Sequence, residues 1–191
     1  MDNGNSILVS LCATISSMTE LVTEALVLDS EDREELNVRI TLYTKELGKI
    51  SARARSIKKI TSKLAGHLQP LSFAKVRLVS KNGFQVVDAI STYRMKPTPA
   101  AIIFARFITE MTVEEQSDLN LWNSITKAAN QIERGKKFSY VPLLDALGFS
   151  PKYASCAGCK NKQVTHFVPD EQLFFCNKCV SKIPKDAVIS I

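Results

Sequence analysis

The 191-residue chain has only two histidines, His67 and His166, and they stand in separate segments. A Ser-His-Asp or Cys-His arrangement therefore has little to draw on. There is no glycine-rich phosphate loop. Neither half of the zinc-deaminase pattern, a His-x-Glu and a Pro-Cys-x-x-Cys, occurs. Glu34 and Glu35 sit in an acidic stretch and read as solvated. With every catalytic constellation missing, the expectation is a binding protein and not an enzyme. No run of eighteen apolar residues is present, so a membrane-crossing helix is not expected. The segment "SILVSLCATISSM" is apolar enough to resemble the core of a secretory signal. It lacks a basic stretch before it and reads as an N-terminal extension, residues 1–20, of a cytoplasmic protein. Internal repeats and low-complexity tracts are also lacking.

The most informative absence is local. From Leu47 to Val87 there is no aspartate or glutamate, yet the segment holds nine basic residues. The chain as a whole carries a net charge of +6, so everything outside this segment sums to −3. The positive charge belongs to one part of the molecule, which points to an anionic polymer or surface as partner.

Hydrophobic periodicity organises that part. "TEALVL" is a strand candidate, followed by the acidic turn region "SEDREELN". In "LNVRITLYTKELGK", Leu36, Val38, Ile40 and Leu42 alternate with polar positions. Ile50, Ala52 and Ala54 do the same in "KISARAR", and Ala74, Val76 and Leu78 in "FAKVRLV". Asn82-Gly83 is a hairpin turn leading into "FQVVDAIS". Five short strands suggest a closed barrel, since closure removes the edges. Between the third and fourth strands, Ile57, Ile60, Leu64 and Leu68 recur at helical spacing. A five-stranded barrel with a helix at that place is the layout of an OB-fold. The expected fold class is α+β, with the barrel over residues 21–95.

"KPTPA" marks the next boundary, with Thr98 as N-cap and Pro99 at the first helical position. Helices follow through Phe107 and Ile108, through Leu121, Ile125, Ala128 and Ile132, and over Val141–Leu147, giving a helical domain over residues 96–150. Cys156-Ala-Gly-Cys159 and Cys176-Asn-Lys-Cys179 are separated by sixteen residues, the spacing of a zinc ribbon over residues 151–183, with a tail over 184–191. Four thiolates close a tetrahedral Zn2+ shell and leave no position for water, so the role would be structural. Two disulfides and a redox dithiol are the rival readings. His166 reads as a packed or exposed side chain and not as a fifth ligand.

On the barrel's outer face, basic residues recur on consecutive strands. Arg39, Lys49, Arg53, Arg55, Lys75 and Arg77, with Lys58, Lys59 and Lys63 from the helix, are the candidate phosphate contacts. Tyr43 and Phe73 share the outward alternation and are candidate base-stacking rings, with core packing as the alternative for each.

These segments also carry a resemblance. "EALVLDSEDREELNVRITLYTKELGKISARARSIKK" with "SKLAGHLQPLSFAKVRLV" resembles the N-terminal domain of the bacterial recombination mediators of the RecO family. Leu42, Thr44, Gly48, Lys49, Ser51, Leu64, Leu68, Pro70 and Phe73 stand at matching places. "PLLDALGFSPKYASCAGC" looks like that family's entry into its zinc finger, which Cys176 and Cys179 complete. The resemblance implies an OB-fold, a helical domain and a zinc finger. It further implies binding of single- and double-stranded DNA, annealing, partnership with RecR and the single-strand binding protein SSB, and assistance to RecA loading. Twelve residues follow Cys179, where the family usually continues with further helix, so the resemblance carries less for SSB than for DNA. Two other classes fit the same parts. One is an RNA-binding or translation-related factor; the other is a protein-interaction adaptor whose basic face docks an acidic tail.

Overall fold

The computed structural model describes residues 19–32, 38–55, 64–184 and 187–191. Five strands, β1 (Thr19–Asp32), β2 (Val38–Thr44), β3 (Gly48–Ala54), β4 (Ser72–Ser80) and β5 (Phe84–Arg94), close into a barrel in the order β1-β2-β3-β5-β4. All neighbours are antiparallel except β3 and β5. That order and size make it an OB-fold. The inward set is the alternating one the sequence predicts: Val38, Ile40, Leu42, Ile50, Val76 and Leu78 are all buried, joined by Val27 of β1, while Leu36 lies outside the described residues. Ala25, Ala52, Ala54, Ala74 and Ala89 fill the same interior, where five strands leave room for few large side chains. Leu64 and Leu68 pack against this core. Ile57 and Ile60, the other half of the expected helical seam, lie outside the described residues.

β1 is longer than the alternation "TEALVL" suggests. Its first half pairs with β4 and its second half with β2, both over Ala25 and Leu26, and a bulge at Leu28 shifts the register within the β1–β2 ladder. Ser30, Glu31 and Asp32, expected in a turn, are strand residues opposite Ile40, Arg39 and Val38. Ladder hydrogen bonds outweigh the poor strand propensity of the acids.

The outer face of the barrel is not uniformly solvated. Three helices, α1 (Pro99–Met111), α2 (Leu119–Glu133) and α3 (Val141–Ala146), pack on one end of it. Thr98 caps α1 by accepting the Ala101 N–H, with Pro99 beginning the helix as the sequence indicates. Asp118 caps α2 by accepting from Asn120 and Leu121. Their buried faces, including Phe104, Phe107, Ile108, Leu121, Trp122 and Ile125, meet the outward side chains Leu26, Tyr43 and Phe73 of the barrel. A three-stranded sheet, β6 (His166–Val168), β7 (Leu173–Phe175) and β8 (Ile189–Ser190), adds Phe167, Phe174 and Ile189 to the same core. The protein thus has two cores, one inside the barrel and one shared by its outer face, the helices and the small sheet.

Gly48 locks these parts together. It has φ of +70°, and a Cβ there would stand 1.9 Å from the Gln116 carbonyl oxygen. The β2–β3 turn and the α1–α2 connection touch backbone to backbone, beside the hydrogen bond from Glu115 N–H to the Lys49 carbonyl at 2.8 Å. Gly48→Ala adds both left-handed strain and a clash with main chain. A loss of roughly 3 kcal/mol is expected, from backbone strain and overpacking acting together. For a protein of this size that lowers Tm by about 6–12 °C, readable by calorimetry.

Candidate nucleic-acid interface and metal centre

The register of β2 on β3 grades the outer face from covered to open. Tyr43 is opposite Lys49, Thr41 is opposite Ser51, and Arg39 is opposite Arg53. At the covered end Tyr43 is fully buried, its ring stacked on Trp122 at 6.4 Å between centroids. Burial pushes its phenol up to about 12, with the Asp118 charge adding to the effect. Phe73 is also buried, stacked on Tyr93 at 4.7 Å. Neither ring is open to a base. Both were candidates for stacking because they face outward from the barrel, and outward here means into the helical layer. Lys49 is likewise drawn into the junction: its Nζ donates to the Thr109 carbonyl at 2.7 Å. The last turn of α1 has no basic residue of its own, and Lys49 supplies the positive charge its exposed carbonyls favour.

β4 carries Lys75 and Arg77 outward and exposed, but its neighbours bring acids to the same rows. Lys75 is opposite Glu24, and Arg77 is opposite Asp88. Arg77 forms an ion pair with Glu20 and Lys45 one with Glu24, each at 3.1 Å. This side of the barrel is a mixed, largely self-compensated surface. Lys58, Lys59 and Lys63 lie outside the described residues.

At the open end of β2 and β3, Arg39 has Glu31 opposite on β1, but Arg53 lies between Arg39 and Gln85 with no acid on either neighbouring strand. Arg39, Arg53 and Arg55 are all exposed, and none forms an ion pair with a described carboxylate. Arg39 and Arg53 stand directly opposite one another. The Arg53 guanidinium donates to the Asn82 carbonyl in the β4–β5 turn. Lys81, exposed in that turn, thereby joins the cluster. It lies within the acid-free segment but outside the strand alternation that selects the other candidates. Only the hairpin turn at Asn82-Gly83 could have drawn attention to it. In an OB-fold the β2–β3 face and the β4–β5 loop form one side of the groove used for oligonucleotides and oligosaccharides.

The four cysteines converge. The Sγ atoms of Cys156, Cys159, Cys176 and Cys179 all lie within 4.8 Å of one another, and all four are free thiols. This meets the geometry of a tetrahedral thiolate site, whose sulfurs stand about 3.8 Å apart for metal–sulfur bonds of about 2.3 Å. The Cys159 and Cys176 sulfurs are 3.6 Å apart. The surrounding peptide is arranged for thiolates. Backbone N–H groups of Cys176, Cys159 and Gly158 hold Cys156 down at about 6, and that of Cys179 lowers Cys176. Cys179 is pushed up to about 12 by the neighbouring sulfurs of Cys159 and then Cys156, which favour its protonated form. A divalent cation among the four would remove that crowding of negative charge. Gly158 is dictated by the opposite knuckle, since a Cβ there would be 3.0 Å from the Cys179 sulfur. His166 turns away and pairs with the Thr165 hydroxyl at 2.8 Å.

A family model described as "Recombination protein O N terminal" matches residues 18–95, which span the whole barrel. The DNA repair protein RecO of Bacillus pumilus (strain SAFR-032) is 27% identical over 179 residues, 85% of this chain and 69% of the relative. Over its barrel the chain is similar to the N-terminal domain of RecO proteins. RecO of Bacillus subtilis (strain 168) is 26% identical over 176 residues, covering 84% of this chain and 69% of that one. RecO of Dehalococcoides mccartyi (strain ATCC BAA-2100 / JCM 16839 / KCTC 5957 / BAV1) is 24% identical over 174 residues, with 82% and 69% covered. The similarity supports a DNA repair and recombination protein. The RecO matches run well past the barrel into the helical and cysteine-bearing parts. Among the described residues, no helix is long and apolar enough to cross a membrane.

Proposed function

We propose that the protein binds single- and double-stranded DNA through the open end of its β2–β3 face, anneals complementary strands without enzymatic turnover, and acts in the cytoplasm with RecR to assist RecA loading. The observation that carries the reading is the direct pairing of Arg39 with Arg53. Like charges opposite one another on a strand pair are destabilising, on the order of 0.2–1 kcal/mol. Glu31 on β1 also lies opposite Arg39 and offsets part of that cost, but Arg53 has only Arg39 and Gln85 beside it, and a face that only needs solvation avoids such a pair. A face that holds phosphates uses it, because an anion between two guanidiniums turns the repulsion into two charge-assisted hydrogen bonds. Annealing follows from the same charge: two strands repel in solution, and a basic surface lets them approach. Contact with SSB is proposed on the same resemblance. In the four-cysteine centre, Cys156, Cys159, Cys176 and Cys179 would hold one structural Zn2+, which supplies folding stability and no reactive position.

Salt titration tests the electrostatic mechanism. If Arg39, Arg53, Arg55 and Lys81 each engage one phosphate, log K for an oligonucleotide falls against log salt with a slope of about −2.8. A flat response overturns it. Competition between DNA and RNA of one sequence decides against the RNA-binding alternative if DNA is held at least as tightly, because 2′-OH contacts would favour RNA.

A further inference from the structure

We propose that the knuckle end of the cysteine module is a second, separate contact for single-stranded nucleic acid, with Tyr153 as a base platform and Lys160, Lys162 and Lys178 on the phosphates. The module's charge is segregated along its length. Its acids, Asp170 and Glu171, lie in the turn between β6 and β7. At the opposite end β7 runs directly into Cys176, and the first knuckle is fastened there by the bond from Ala157 N–H to the Phe174 carbonyl at 2.8 Å. Lys160 follows Cys159 and Lys178 precedes Cys179, so the sulfur cluster brings lysines of the two knuckles to one end. Lys162 is two residues beyond Lys160. All three are exposed, and none forms an ion pair among the described residues.

Neutralising the metal centre explains part of this. Four thiolates around a divalent cation leave about two negative charges, which two lysines would balance. It does not explain Tyr153. Of the chain's four tyrosines, Tyr43, Tyr93 and Tyr140 belong to the shared core or pack against it. Tyr153, three residues before Cys156, is 82% exposed, more than any other exposed large hydrophobic residue. Lys152 Nζ lies 5.4 Å from its ring centroid. An exposed aromatic ring with Lys152 beside it, leading in sequence into the knuckle that carries Lys160 and Lys162, is the composition that holds single strands by stacking and charge. A membrane is a poorer fit: the module's one exposed aliphatic side chain, Leu173, sits at the acidic end.

The test places a reporter on the ring. Trp122 is buried, so in Tyr153→Trp the second indole reports the module alone. Titration with unlabelled oligo(dT) is expected to quench its emission saturably. Lys160→Glu with Lys162→Glu and Lys178→Glu in that background shifts the midpoint by about 10-fold or more, at unchanged metal content. Arg39→Glu with Arg53→Glu leaves the quenching in place. Absence of quenching overturns the proposal, as does quenching that the lysine changes do not move, or quenching by polyglutamate and not by oligo(dT). Anisotropy of a labelled oligonucleotide, read on the same samples, reports total binding, and the part lost in Arg39→Glu with Arg53→Glu is the barrel site. Binding there without quenching overturns the second contact and leaves the barrel reading standing.

Discussion

Replacing Arg39 and Arg53 together by glutamate is expected to weaken single-strand binding by about 100-fold or more while the protein stays folded. Each guanidinium on a phosphate contributes roughly 1.5–3 kcal/mol as a charge-assisted bond, and the two are lost at once. Arg53→Glu alone separates function from stability. The new carboxylate would face Arg39 across the ladder, converting a like-charge pair into an opposite one. Against this stands the loss of the bond to the Asn82 carbonyl. The thermal midpoint of this variant should hold or rise slightly as affinity falls. Filter binding at fixed salt and calorimetry on the same sample check both halves. Lys75→Glu is the contrasting control, since Lys75 lies between Glu24 and Ile90 and no basic residue faces it on either neighbouring strand. It should change affinity by less than about 3-fold, as exposed, screened charges in mixed surroundings do. Equal losses from Lys75→Glu and Arg53→Glu would move the site to the β4 side of the barrel.

Removing the metal is expected to loosen the helices as well as the knuckles, and to spare the barrel interior. Phe167, Phe174 and Ile189 from the small sheet pack in one core with Phe104, Phe107, Leu143 and Leu144 of the helices. Val27, Ile40, Leu42, Val76 and Leu78 belong to the other core. If the cysteine centre holds the sheet in place, a chelator takes apolar cover from α1 and α3 but nothing from inside the barrel. Hydrogen exchange should show faster amides over residues 99–146 and 156–179 in the chelated protein, with β2, β3 and β4 still protected. Cys176→Ser should reproduce the pattern, because Cys176 is buried and a hydroxyl is a far weaker ligand than a thiolate. Metal analysis should give one Zn2+ per chain before chelation. Less than half an equivalent, or exchange unchanged by chelation, would rule out a structural zinc.

Much of this architecture is legible in one dimension. Period-two alternation puts Val38, Ile40, Leu42, Ile50, Ala52, Ala54, Ala74, Val76 and Leu78 inside, and they are inside. Thr98-Pro99, Asn82-Gly83 and the two Cys-x-x-Cys pairs mark a cap, a turn and a ligand set through local chemistry, so their neighbours in sequence suffice to read them. The outer face is another matter. Alternation states that Tyr43, Lys49, Phe73, Lys75 and Arg53 point away from the barrel, and all of them do. It cannot state what lies beyond. Tyr43 meets Trp122 from 79 positions along the chain, Lys49 meets the Thr109 carbonyl, and Lys75 lies opposite Glu24 across a strand pair. A side chain's direction is a property of its own backbone, so the sequence determines which residues leave the barrel core. Whether they then find a helix, a carboxylate or open solvent depends on elements brought near only by folding, so the tertiary structure alone decides that Arg39 and Arg53 face one another at the end of the barrel that the helices leave open.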